Sequence, residues 1–116
     1  MGWPPEAGDS FPRAKDAWYT WDKVEDWILG DRGHGPEWAR VFQIGLDDWG
    51  YLWQEILGAT IGATIQSVRD RSPYGIACEA QVRISIGDRN ALVKLSWHYV
   101  NEGDAPRLVT AYPTTL

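Results

Sequence analysis

His34 and His98 are the only imidazoles in this chain of 116 residues, and each stands among residue types that acid–base chemistry uses. His98 lies in the stretch Gly75–Tyr99. There Ile76, Cys78, Ala80, Val82, Ile84 and Ile86 alternate with Ala77, Glu79, Gln81, Arg83 and Ser85. Further on, Ala91, Val93, Leu95, Trp97 and Tyr99 alternate with Leu92, Lys94, Ser96 and His98. Period-two alternation predicts two strands, each with one face on a core and one turned outward. His98 then shares its outward face with Glu79, Gln81, Arg83, Lys94 and Ser96. Cleaving RNA without a metal needs a base for the 2′-OH, an acid for the leaving oxygen, and a cation or donor for the phosphorane charge. Glu79, His98, Arg83 and Lys94 are groups of those types on one face. The plain alternative is a solvated sheet surface on which Glu79 and His98 form an ordinary cross-strand pair.

His34 sits between Gly33 and Gly35, just before a helix that Pro36 would open. The glycines permit close backbone approach, and a helix start favours an anion such as phosphate. The alternative is a turn histidine with no task. Arg107, Thr110 and Tyr112 belong to a last strand, Arg107–Tyr112. Thr110 shares a face with Tyr112, whereas a regular strand puts Arg107 on the other, so only a bulge brings Arg107 and Thr110 to one site. Lys23, beside Glu25 and Asp26, reads as a surface charge. No Gly-rich phosphate loop follows a strand, no His/Asp/Glu cluster has metal-ligand spacing, and nothing marks a nucleophile. No metal and no cofactor are expected. Cys78, the only cysteine, falls on the apolar face as a small core residue, and its solitude fits a reducing compartment.

The elements that must position these groups follow from pattern and punctuation. If Gly87-Asp88-Arg89-Asn90 forms a four-residue loop, Ile86 pairs with Ala91, Val82 with Leu95 and Ala80 with Trp97. On the outward face, Arg83 then meets Lys94, Gln81 meets Ser96, and Glu79 meets His98. A slip of one residue would turn every apolar side chain outward, so the parity is firmly set. Upstream, residues 1–12 are rich in Pro and Gly and read as an irregular arm. Residues 13–21 fit either a turn of helix or a short strand. Asp22 with Glu25 fits a capping pattern for a helix to Leu29, with Val24, Trp27 and Ile28 on one face and Gly30 ending it. A second helix runs from Pro36 to Ile44, closed by Gly45, with Trp38, Val41 and Phe42 as its buried stripe. Asp47 caps a third, with Trp49, Leu52, Trp53, Ile56 and Leu57 inward, and Gly58 stops it. A strand is expected within Ala63–Arg69. The expected fold is α+β: over residues 13–116, one domain of two or three N-terminal helices packed on the apolar side of a roughly four-stranded antiparallel sheet.

Hydrophobic residues make up 44% and charged residues 23%, as in ordinary globular domains. No apolar run approaches the ~18 residues of a membrane span, and the N-terminus lacks the basic start and apolar stretch of a signal peptide. The net charge of −5 argues against broad, nonspecific nucleic-acid binding but leaves room for a compact basic cleft, or for docking a basic partner. Eight Trp residues are the oddity of the composition. Most belong to the core, and one or two could line a binding surface.

The final strand, Pro106-Arg107-Leu108-Val109-Thr110-Ala111-Tyr112-Pro113, resembles the C-terminal end of bacterial toxin domains. Lys23 with Trp27-Ile28-Leu29, then His34, Ala39-Arg40-Val41-Phe42, Gly45 and Tyr74-Gly75 stand in the order found in an uncharacterised family of small bacterial domains. That family occurs in toxin–antitoxin-like pairs and at the ends of polymorphic toxins. The match spans roughly residues 11–113. The order of helices then strands also resembles the barnase, EndoU, colicin E5/D and RelE group of ribonuclease toxins, whose active residues lie on the exposed sheet face. The chain departs from the family pattern at Trp38, where a Lys usually precedes the Ala of the second helix, and in a shortened loop between His34 and Ala39. The resemblance implies a metal-independent ribonuclease acting on an RNA such as tRNA or mRNA. It implies His34, His98, Glu79 and Thr110 as catalytic groups, and Arg107, Arg83, Lys94 and Tyr112 as substrate contacts. It further implies a cognate antitoxin or immunity protein and a cytoplasmic setting, in the producing cell or in a target cell after delivery. The acidic charge, the Trp excess and the missing lysine point instead to a non-catalytic immunity or adaptor domain that docks another protein.

Overall fold

The alternating stretches build the two longest strands, and the rest of the chain is laid against them. The computed structural model describes residues 2–114; the last two positions of the expected domain span lie outside the described residues. The sheet has four antiparallel strands in sequential order: β1 (Ser67–Asp70), β2 (Ile76–Ile86), β3 (Arg89–Tyr99) and β4 (Arg107–Pro113). Before it come α1 (Trp21–Lys23), which runs on into a π-helical turn at Val24–Ile28, then α2 (Gly35–Phe42) and α3 (Trp49–Ile61). A short 3₁₀ turn at Ala14–Asp16 precedes α1, and another at Leu46–Asp48 lies between α2 and α3. The fold is therefore α+β, helices first and strands after.

The parity of the hairpin is as expected, and its register is not. Gly87-Asp88 alone makes the turn, with Gly87 at φ 63°, so Ile86 pairs with Arg89. Gly at positive φ suits the tight two-residue turn that matches the twist of the flanking strands. Every partner shifts by two: Val82 faces Val93, Ala80 faces Leu95, and Cys78 faces Trp97. A shift of two keeps each side chain on its face, so Val82, Ile84, Val93, Leu95 and Trp97 are buried as the alternation demanded.

Trp53 of α3 packs against Trp97, with ring centroids 6.1 Å apart, and Trp38 and Phe42 of α2 are buried in the same core. Trp38 also closes the open edge of β4, its Nε1–H donating to the Ala111 carbonyl at 3.0 Å. The N-terminal arm is irregular but tied down. Gly8 N donates to Ile65 O, Ile65 N donates to Asp9 O, and Phe11 is buried.

Five helix expectations change. Thr20, not Asp22, stands at the N-cap of the first helix, and Asp48, not Asp47, at that of α3. The π-helical turn holds one residue more than an α-turn, seen in the Leu29 N–H reaching Val24 O. Trp27 therefore no longer lies over Val24; Val24 and Ile28 are buried and Trp27 is exposed. The second helix ends at Phe42, because Gln43 takes the left-handed conformation (φ 59°) expected of Gly45. Gly58 does not stop α3: Ile56 and Thr60 are both buried, and burial of that face carries the helix on to Ile61.

Candidate functional site

The outward sheet face reads as rows across the strands. One row is Arg69, Ala77, His98 and Arg107; the next is Ser67, Glu79, Ser96 and Thr110; the third is Gln81, Lys94 and Tyr112. Arg107, Thr110 and Tyr112 stand on this one face because β4 carries a bulge. Ser96 pairs with Thr110 while Trp97 pairs with Leu108, so Val109 is the extra residue. That irregularity is the one a regular strand would have forbidden.

The first row holds a cleft of about 360 Å³. Ala77, the cross-strand partner of His98, and Val109 supply its apolar lining. His98 and Arg107 rise beside it from neighbouring strands. Arg71 and Tyr74 reach it from the loop that precedes β2, and Lys23 from the end of α1. The Arg71–Gly75 loop is braced from within. Arg71 N donates to Gly75 O, Tyr74 N donates to Arg71 O, and Asp70 Oδ1 accepts from both Ser72 N and Ser72 Oγ. Those Ser72 bonds hold the Asp70 carboxyl below its usual range. Gly75 passes so near β3 that a Cβ would lie 2.0 Å from the Tyr99 carbonyl oxygen, and its φ is +113°. Glycine is the residue that fits there. Lys23, Arg71, His98 and Arg107 form no ion pair and no side-chain hydrogen bond among the described residues. Among the described residues, no carboxylate lines the cleft. Three fixed cations and an imidazole thus share a pocket in a protein of net charge −5.

The other expected residues are distributed around this centre. Glu79 is not the partner of His98: it faces Ser96, and His98 faces Ala77. Its carboxylate turns towards β1, accepting from Arg69 Nη2 at 3.0 and 3.1 Å and from Ser67 Oγ at 3.2 Å, with Lys94 Nζ at 3.8 Å. Arg83 is tied to Asn90 Oδ1 at 2.7 Å. It faces Leu92, six positions along β3 from His98, which is about 20 Å at strand rise. Thr110 lies one row from His98, and its buried Oγ1 has no partner among the described residues.

His34 meets the last strand, but through Tyr112: the two rings stack with centroids 4.4 Å apart. Trp27 packs edge-on against the imidazole at 5.3 Å, and Glu37 Oε1 lies 3.0 Å from Nδ1. The glycines around His34 serve the chain's own backbone. A Cβ on Gly33 would lie 1.9 Å from Trp27 O, and one on Gly35 2.5 Å from Leu29 O. The N–H groups of Gly33, His34, Gly35, Glu37 and Trp38 all donate to main-chain carbonyls. The start of α2 therefore presents no unused donor to an anion. His34 and His98 do not line one cleft.

Sequence reasoning gave Arg71 no role, named Tyr74 only within the family-like order of residues, and took Lys23 for an ordinary surface charge. The signal available was the run Arg71-Ser72-Pro73-Tyr74-Gly75 just ahead of the hairpin. Among the described residues, no group of three or more His, Cys, Asp or Glu is placed to hold a metal ion, and no helix is long and apolar enough to cross a membrane.

No family model, no curated protein and no solved structure is found to match this chain.

Proposed function

We propose that the chain is a metal-independent ribonuclease domain that cuts RNA in the His98 cleft. The observation that carries this reading is the set of Lys23, Arg71 and Arg107 around His98, with no ion pair among the described residues and no described carboxylate lining the cleft. Unpaired cations on a fixed frame are what a phosphodiester and its more highly charged transition state require. His98 takes the proton of the 2′-OH. The 2′-oxygen attacks phosphorus, Arg71, Arg107 and Lys23 stabilise the phosphorane, and the 5′-oxygen departs. That oxygen collects its proton at the open side of the cleft, where the Tyr74 hydroxyl and the Lys23 ammonium are the donors. The products are a 2′,3′-cyclic phosphate and a 5′-hydroxyl. Glu79 has no part in this scheme, since Arg69 and Ser67 hold it. The likeness of the last strand to toxin domains supports the same reading, and with it a cognate antitoxin or immunity protein that neutralises the activity.

Inducible expression of the wild type beside His98→Ala tests this, with total RNA examined for discrete cuts ending in cyclic phosphate. The wild type should produce them and the variant should not. Intact RNA with folded wild type, or equal cutting by the variant, would end the ribonuclease reading. A second reading, a protein-binding domain, draws on Trp18, Trp21 and Trp27, each close to half exposed. Exposed Trp is typical of interface anchors. Silent RNA together with stable capture of a partner that Trp21→Ala abolishes would favour it.

A further inference from the structure

A second cleft, of about 560 Å³, adjoins the first and shares Lys23 and Arg107 with it. Its own lining differs in kind. Trp18 and Trp27 supply aromatic surface, 48% and 44% exposed, and Asp22 and Asp26 supply carboxylates. Resting on the ribonuclease reading, we infer that this second cleft is a base-stacking subsite, so that the protein takes unpaired nucleotides: phosphate between Arg107 and Lys23, base against Trp18 and Trp27. The asymmetry of charge sets the orientation. The His98 cleft holds cations without carboxylates and suits the phosphate. The tryptophan cleft holds two carboxylates, which repel phosphate and accept hydrogen bonds from the N–H groups of a base edge. Asp22 is held in its ionised form, chiefly by a hydrogen bond from the Thr20 side chain.

The backbone that carries Trp18, and the ring of Trp27, are held by contacts within the chain. Trp18 N donates to Pro106 O at 3.0 Å and Trp18 O accepts from Leu108 N at 2.9 Å, so Trp18 is pinned across Arg107. Trp27 rests on the His34 ring, which itself stacks on Tyr112. The π-helical turn is what delivers Trp27 outward. In a duplex the base faces are covered by their neighbours, and only an unpaired base can offer a face to an indole.

The test uses a 2′-O-methyl octanucleotide, which cannot be cleaved, as a single strand and as its duplex, with binding read by anisotropy and by quenching of Trp fluorescence. The single strand should bind at least tenfold tighter than the duplex. Trp18→Ala and Trp27→Ala should each weaken it about tenfold, Trp27→Phe should restore most of the loss, and Trp21→Ala, outside the cleft, should bind as wild type does. Equal affinity for the duplex, no binding at all, or wild-type binding by both alanine variants would overturn the subsite. The two proposals fail separately. Tight single-strand binding with no cutting of unmodified RNA keeps the subsite and removes the nuclease. Cutting that both tryptophan variants leave unchanged does the reverse.

Discussion

His98 has a small neighbour in the cleft rather than an acidic one. Ala77 is its cross-strand partner, and Arg107 on the far side adds charge to the cleft. Glu79 is a structural carboxylate in a polar cluster with Arg69, Ser67 and Lys94. Glu79→Gln should therefore cost about 0.5–1 kcal/mol of stability, the range of a partly exposed ion pair, as read from urea midpoints. It should change RNA cutting less than twofold. A large loss of cutting in a folded Glu79→Gln protein would return Glu79 to the site. Cys78 makes a second test at this scale. Burial pushes its thiol up to about 11, so near pH 8 little thiolate is available to react. Iodoacetamide at that pH should leave the folded protein unmodified and label it promptly in denaturant. The same raised value has a consequence for stability. Unfolding frees a thiol that ionises near 9, so this contribution is whole below pH 9 and declines as the pH climbs towards 11. Rapid labelling of native protein would contradict the buried position.

At the scale of elements, three irregular features assemble the site: the π-helical turn that throws Trp27 outward, the bulge at Val109, and the braced Arg71–Gly75 loop. Gly75→Ala should be severe. The positive φ alone costs about 1–3 kcal/mol in a residue with a side chain, and the clash with the Tyr99 carbonyl adds to it. Loss of RNA cutting should accompany the loss of stability, since Arg71 and Tyr74 ride on the same loop. Gly58 gives the opposite expectation. It lies inside α3, and a Cβ there meets nothing within 4 Å. Gly58→Ala should stabilise by about 0.5–1 kcal/mol, through helix propensity and a less flexible unfolded chain. A fall in the thermal midpoint of Gly58→Ala would mean that this glycine is needed for close packing.

Over the whole molecule, sixteen acidic residues outweigh eleven basic ones, yet three of the cations gather at one cleft with no ion pair among the described residues. Net charge then governs what the protein avoids, and local charge what it can hold. Binding of a single strand through three cations should release about two counterions, giving a slope near −2 for log K against log salt. Neutralising Arg107 should flatten that slope by about 0.7. A slope of zero would remove the phosphate contacts. The scaffold beneath the cleft is a continuous core, and Trp38 joins α2 to β4 within it. Trp38→Ala should cost about 3–5 kcal/mol by chemical denaturation, and in doing so weaken the site from behind.

The sequence by itself determined what repeats locally. Alternation over Ile76–Tyr99 settled both strands and which side chains face the core, because a strand has a period of two and water enforces it. It settled the order of helices before strands, and the single cysteine's burial. The pairing of Glu79 with His98 lay beyond it, since register depends on a turn, and Gly87-Asp88 made a turn two residues shorter than the run of turn formers suggested. Arg107 and Thr110 came to one face only through a bulge that no local pattern announces. Lys23 and the Arg71–Gly75 loop are far apart in the chain and ordinary in their surroundings. Nothing in a one-dimensional pattern joins them to His98. What joins them is the packing of α1 and of the Arg71–Gly75 loop beside strands β3 and β4, a matter of tertiary contact between segments that carry no mark of each other.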